Sequence, residues 1–363
     1  MPRWRVVLHA LDRTGPPILA RAFLRWLGRE HGDEVDVVAF RGGELLDDFL
    51  QLATVRVVVD PEEAEPLAAA RVDALRRRVG PLPPVDATLL VSIASGRALP
   101  FLDEASAPIV TWVVEQGEAF PDGVAERSSR WLAGSVSTHD ELVDRVPAAA
   151  GAVVTMEFVD GPVTTSDEQR RRCRLALGAA DDELLVVAAG IATARKAPDL
   201  FLEIALAHRR RGGPPARFAW IGGERDLLFH RARFEAQRLD LDEVRFAGNV
   251  ADVGPWLAAA DVFVHPARLD SFPLVCLHAA AAGTPVVAFG GVGGVPEMFG
   301  PTFQGIDYPD VVGLAGVIGS LADAGHRRSV GAAQRDHVLA RYVADVGAPR
   351  IREQLLLASG AAP

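Results

Sequence analysis

The sequence predicts an α/β protein built from two Rossmann-like domains. Three observations carry that expectation. Apolar, strand-like runs alternate with helical patterns from the first residues onward; the alternation stops in a polar stretch at 159–182 and then restarts; and 363 residues is long for one hydrophobic core but ordinary for two. Alternation of this kind implies right-handed βαβ units and parallel sheets covered on both faces.

In the first half the expected strands are Trp4 to His9, Val35 to Phe40, Val55 to Val59, Thr88 to Ile93, Ile109 to Val114 and Val153 to Phe158. Helices are expected at Ile18 to Arg29 and Ala64 to Val79. The connection Val159 to Asp182 carries Gly161, Pro162 and a basic helix. Strands then follow at Leu184 to Ala189, Ala216 to Ile221, Val244 to Ala247, Val262 to His265 and Pro285 to Phe289. Helices alternate with them at Pro198 to Arg210, Asp226 to Arg238, Ala251 to Ala260 and about Pro273 to Ala282. The tail from about Ala332 to Leu357 is helical in composition, with a break at Gly347-Ala348-Pro349 before a last helix. Domains are therefore expected at 1–160 and 161–339.

Hydrophobic residues at 49% and charged residues at 24% describe an ordinary soluble globular chain. A formal charge of −10 and a pI near 5.4 offer no broad attraction to nucleic acid or anionic lipid. Cys173 and Cys276 are far apart, so a disulfide is not expected and a reduced, cytoplasmic location is. No apolar run reaches membrane-spanning length, which leaves only peripheral membrane contact open, and no His, Cys, Asp or Glu grouping has metal-ligand spacing. The arginine runs at 76–78, 170–172 and 209–211 are expected to be solvated helix faces.

Val262 to Glu297 reads as strand, turn, helix, strand and glycine-rich loop. Its turn carries Asp270 and Ser271, Pro273 suits the first helical turn, and Gly283 suits the position past the end. A helix N-terminus behind a tight loop favours a phosphate. Gly190 to Pro198 likewise follows a strand and opens a helix, placing Arg195 and Lys196 at the carboxyl end of a parallel sheet, where ligands bind in open α/β folds. Two adjacent cations there suit a diphosphate.

These residues resemble the retaining GT-B glycosyltransferases of family 4 (glycosyl transferases group 1), whose C-terminal domain carries Glu, seven residues, a second Glu, Gly-x-Pro-Val-Val and a Gly-Gly-x-x-Glu loop. Asp270 to His278 occupies the first block, with Asp270 and His278 standing where the family has glutamates. The resemblance implies a GT-B arrangement of the two domains with a facing cleft, an acceptor-binding N-terminal domain, a nucleotide-sugar-binding C-terminal domain, and a final helix at about 340–363 packing back on the first domain. It covers the chain in layout and is motif-specific from about Gly190 to Glu297.

The resemblance also implies roles. Arg195 and Lys196 would hold the donor diphosphate and serve as catalytic residues, although Ala197 replaces the family's glycine. Asp270 would stand near the transferred sugar, unless it caps the helix. Ser271, Phe272, Gly291, Gly293 and Gly294 would line the phosphates, and His278 the ribose, where it lacks the two-oxygen clasp of a carboxylate. Gly222, Gly248, Asn249 and Val250 would receive the base. In the first domain, Ala10 to Pro17, with Gly15, corresponds to the family's Gly-Gly loop. Glu115 would orient sugar or acceptor, unless merely exposed, while Val114 stands where the family has histidine. His139 would be a first-turn surface residue behind a cap at Ser137 or Thr138.

The activity implied is metal-independent transfer of a hexosyl-type sugar from a UDP- or GDP-sugar to a hydroxyl-bearing acceptor with retention, without cofactor or nucleic acid. Two alternatives remain: a catalytically impaired GT-B nucleotide-sugar-binding or partner protein, suggested by Val114 and His278, and a GT-B sugar-nucleotide epimerase.

Overall fold

The computed structural model describes residues 1–59, 69–102, 107–180 and 182–362. The chain divides into two units, Met1–Asp160 with Tyr342–Pro363, and Gly161–Arg341.

In the first unit, β1 (Arg3–Leu8), α1 (Gly15–Glu30), β2 (Glu34–Arg41), α2 (Leu46–Leu50), β3 (Thr54–Val59) and α3 (Ala69–Val79) lead to β4 (Ala87–Val91), β5 (Ile109–Val113), α4 (Val124–Arg127), β6 (Ser128–Ala133), α5 (Val136–Arg145) and β7 (Val153–Val154). The seven strands pair in the order β3-β2-β1-β4-β5-β6-β7, and every pairing among the described residues is parallel. Central strands such as β4 and β5 are buried along their whole length, as a sheet covered on both faces requires.

The second unit runs α6 (Asp167–Leu177), β8 (Leu184–Ala189), α7 (Pro198–Arg210), β9 (Ala216–Ile221), α8 (Leu227–Arg238), β10 (Val244–Gly248), α9 (Gly254–Ala259), β11 (Val262–His265), α10 (Leu274–Ala281), β12 (Val286–Gly290), α11 (Val295–Phe299), β13 (Gln304–Asp307), α12 (Val311–Ser320) and α13 (Ala324–Arg341). Its strand order, β10-β9-β8-β11-β12-β13, is again all parallel. Phe201, Phe218 and Trp220 interlock edge to face in its core.

The last helix, α14 (Ala344–Ser359), belongs to the first unit. Val343 bridges to Val159, Arg352 Nε donates to Asp33 Oδ2 at 2.8 Å, and Arg130 Nε donates to Gln354 Oε1 at 2.9 Å. Trp4 Nε1 donates to the same Asp33 oxygen at 2.8 Å.

Several expectations need correction. The tail breaks at Tyr342-Val343; Gly347 and Pro349 lie inside α14, and a Cβ at Gly347 would stand 2.3 Å from Phe158 Cδ1, so that glycine serves close packing and does not break the helix. The strand expected at Val153 to Phe158 stops at Val154, though Thr155 and Glu157 still donate to Ala133 and Gly134. Pro296 and Glu297 lie in the first turn of α11, which the glycine-loop reading hid. Strands β6 and β13 and helix α12 were not in the expected order of elements. Residues 64–68 of the expected helix 64–79, and Asp181 in the expected connection, lie outside the described residues. Among the described residues, no helix is long and apolar enough to cross a membrane.

The arginine runs also do more than coat helices. Arg78 donates to Val58 O, Arg170 to Ala258 O and Arg209 to Asp240 O, so each fastens a helix to a neighbouring carbonyl. Both cysteines are buried and free.

Candidate functional site

In the second unit the sheet order reverses between β8 and β11. Ligands bind at such a switch point in open α/β sheets. Arg195 and Lys196 come from the loop after β8, Asp270 from the loop after β11, and His265 ends β11 itself.

Asp270 joins them. Arg195 Nη1 donates to its Oδ1 at 3.0 Å, Lys196 Nζ pairs with Oδ2, and His265 Nε2 lies 3.0 Å from the same Oδ2 without hydrogen-bond alignment. The Asp270 and His265 side chains are buried, whereas Arg195 keeps 39% of its side-chain surface exposed. Burial opposes ionisation of Asp270, yet the Lys196 ammonium, His265 and the Arg195 guanidinium together hold its carboxyl well below the usual carboxylate range. Burial lowers the pKa of His265 against the opposing pull of Asp270, and burial raises the Cys276 thiol well above its ordinary value. The cluster therefore holds two cations against one carboxylate beside a neutral imidazole.

The loop bearing the cations is fixed from several sides. Arg268 donates its backbone N–H to Arg195 O at 2.8 Å and its guanidinium to Ala194 O and to both Asp199 oxygens, at 3.0, 2.9 and 2.6 Å. Asp226 accepts from Ala192 N at 2.8 Å, and Trp220 Nε1 donates to Gly190 O at 3.2 Å. Ala197 adopts φ 59°, ψ 58°, a left-handed conformation rare for a side chain with a Cβ, so the backbone shape expected of glycine persists with alanine in its place.

The glycine loop behaves unevenly. Gly294 N donates to Asp270 O at 2.8 Å. A Cβ at Gly293 would sit 2.0 Å from Asp270 O, and one at Gly294 would sit 1.9 Å from Ser271 O. These two glycines let the loop lie against residues 270–271. Gly291, with φ 74°, has no atom within 4 Å of its built Cβ.

The carboxyl edge continues through β9 and β10. Gly222 N donates to Gly248 O at 2.7 Å, and a Cβ on Gly222 would stand 2.9 Å from Gly190 O. Gly222 and Gly248 thus join the cation loop to the neighbouring strand ends, with Val250 half-buried and Asn249 exposed beside them. Asn249 Oδ1 accepts from Glu224 N at 3.4 Å. The Phe272 ring and the Ser271 side chain are buried. Helix α10 starts at Leu274 with Pro273 as its cap, so Asp270 lies too early to cap it. His278 Nδ1 donates to Leu274 O at 2.8 Å; in the neutral ring Nε2 is then an acceptor.

Glu115 and Gly15 belong to the other unit. Gly15 opens α1, where Asp12 Oδ1 accepts from Thr14 N at 3.2 Å. Glu115 is not the exposed residue that was one reading: its Oε2 accepts from Ile93 N at 3.3 Å and Val114 N at 3.2 Å. Burial raises its pKa against those donors and Ser92, which holds φ 75° without being glycine. Ser135, ahead of both expected residues, caps α5, and His139 sits half-buried beside Asp140.

Sequence reading passed over Asp199, Asp226 and Arg268, which brace the loop. It also passed over a simple count: Lys196 is the single lysine among 363 residues, and the remaining 37 cationic side chains are arginines. A compact ammonium is retained where the cations converge.

Residues 182–323 match the sequence profile of the glycosyl transferases group 1. A D-inositol 3-phosphate glycosyltransferase of Kribbella flavida is 33% identical over 228 residues, covering 59% of this chain and 53% of the relative. The chain spans about half the length of the curated relatives it matches. Among solved structures, a glycosyltransferase of Rickettsia africae superposes with a TM-score of 0.77 at 13% identity, covering 98% of each chain. The HepE protein of Anabaena, solved with UDP and glucose, superposes with a TM-score of 0.75 at 19% identity, covering 98% of this chain and 99% of that one.

Proposed function

We infer, from a chain of GT-B glycosyltransferase fold whose residues 182–323 belong to the glycosyl transferases group 1, that the protein moves a sugar from a nucleoside-diphosphate sugar to an acceptor hydroxyl with retention at the anomeric carbon. The observation that carries this reading is the convergence of Arg195 and Lys196 at the β8–β11 switch point, next to the strand ends that bear Gly222 and Gly248.

In the proposed reaction the bond between the anomeric carbon and the diphosphate oxygen breaks, and its electron pair leaves with the diphosphate. Arg195 and Lys196 stabilise the charge that builds there, the main electrostatic task of the step. The acceptor oxygen bonds to the anomeric carbon on the same face, and its proton passes to the departing diphosphate oxygen. Because side-chain cations supply the charge, the reaction needs no essential metal. UDP fits the reading because the Anabaena neighbour was solved with it; GDP-sugars are the second class to try. The relatives' name makes a phosphorylated cyclitol hydroxyl the first acceptor to test. A reducing, cytoplasmic setting suits two buried free cysteines.

The test is a thermal-shift and calorimetric screen of nucleoside diphosphates and their sugars on the wild type and on Lys196→Ala with Arg195→Ala, with melting curves to verify folding. A selective ligand lost in the double variant is expected. Nucleoside diphosphate release should then require acceptor and persist in EDTA. A folded wild type that binds none of these ligands overturns the reading, and donor conversion without acceptor replaces it with an epimerase.

A further inference from the structure

Both carboxylate oxygens and the backbone carbonyl of Asp270 have partners inside the protein. One carboxylate oxygen takes Arg195, the other takes Lys196 and faces His265, and the backbone carbonyl takes Gly294 N. The residue is 5% exposed, and Gly293 packs so closely on its backbone that a Cβ would stand 2.0 Å from its carbonyl oxygen. The Asp270 side chain is only 8% exposed, so to present an oxygen to a sugar hydroxyl it would have to swing out from between the cations while its backbone stayed pinned. As a short Asp, it has one methylene with which to do so.

We propose that Asp270 is a positioning residue and built-in counter-charge: it holds Lys196 and Arg195 in place and limits how tightly they grip an anion, and it does not contact the transferred sugar. This rests on reading the site as a diphosphate site. Two bare cations at close range would grip the more highly charged free nucleoside diphosphate more strongly than the donor's diphosphate diester. One buried carboxylate lowers the pair's net charge from two to one, which weakens that preference and favours product release. The single lysine fits the role, since the three N–H donors of its ammonium can be divided between a carboxylate and a phosphate.

The probe is inorganic pyrophosphate, followed by calorimetry, because its binding does not depend on which base the protein prefers. Asp270→Asn is expected to bind pyrophosphate roughly tenfold more tightly than the wild type, since it removes one negative charge a few ångströms from the ligand. A merely structural role would move affinity the other way. Should the buried amide prevent folding, a second comparison stands: Arg195→Gln with Asp270→Asn keeps a net charge of one and should bind roughly tenfold more tightly than Arg195→Gln alone. Equal or weaker binding in these comparisons overturns the proposal, as does loss of nucleotide-sugar affinity in Asp270→Asn with pyrophosphate binding unchanged. If the folded wild type binds no pyrophosphate and Lys196→Ala makes no difference, the diphosphate reading itself falls.

Discussion

Alanine at Gly293 and alanine at Gly291 differ by one methyl group each from the wild type, yet the structure assigns them different consequences. Both residues have positive φ, 80° and 74°, so each substitution pays about 1–2 kcal/mol for a left-handed backbone. At Gly291 nothing lies within 4 Å of the added carbon, and the penalty ends there. At Gly293 the carbon lands 2.0 Å from Asp270 O. Non-bonded atoms prefer about 3.5 Å, so the two loops must part by more than about 1 Å. Parting breaks the 2.8 Å bond from Gly294 N to Asp270 O, a further loss of about 1 kcal/mol, and draws Asp270 from Lys196 and Arg195. The expectation is about 1–2 kcal/mol for Gly291→Ala and at least about 3 kcal/mol for Gly293→Ala, read by urea unfolding with a common slope. Gly293→Ala should also weaken stabilisation by nucleoside diphosphate at least tenfold in ligand concentration, with Gly291→Ala near wild type. Equal stabilities for the two variants would refute the claim that these glycines do different things.

Two further outcomes follow from ionisation. His265 titrates below its ordinary value because it is buried, with Asp270, Lys196 and Arg195 facing it, so below about pH 6.5 the unfolded chain binds a proton that the folded one refuses. Stability must therefore fall as pH drops from 7 toward 5, and His265→Gln should flatten that fall by up to about 1.4 kcal/mol per pH unit in chemical denaturation at stepped pH. Asp33 acts with the same sign in a more acidic window: burial works against its charge, but Arg352 and Trp4 lower its pKa, so its contribution is present above the ordinary carboxylate value and lost as pH falls through the depressed one. Asp33→Ala should destabilise the first unit by roughly 2–3 kcal/mol at pH 7, and limited proteolysis should then clip α14 before other sites; resistance equal to wild type would count against the anchor.

Most strands and helices of Gly161–Arg341 were legible because they carry a full apolar period between turn residues, and the bounds expected for β8, α7, β9 and β11 are those observed. What escaped had weak local signals. Strand β6, Ser128–Ala133, opens with two serines and an arginine, and β13, Gln304–Asp307, is four residues long with no fully buried position. Gly347 and Pro349 look like punctuation until Phe158 supplies the reason for the glycine. In the site, the cations were readable from their place after a strand, whereas the internal use of Asp270 was not. No spacing rule tells a carboxylate that reaches ligand from one that neutralises its own neighbours 74 and 75 residues away. Likewise the glycine loop announced flexibility, and only the packing shows that Gly293 and Gly294 are needed for contact.

The return of α14 to the first unit has a consequence for biogenesis. Gly161–Arg341 is continuous in sequence, so it can close its sheet as soon as it leaves the ribosome. Met1–Asp160 emerges earlier, yet lacks Tyr342 onward, including the partners of Asp33, Arg130 and Val159, until the later unit has been made. The first unit to begin is thus the last to finish. Its unfinished face, which includes Phe158, waits through the synthesis of an entire second unit and is the stretch most exposed to chaperones and to misassembly.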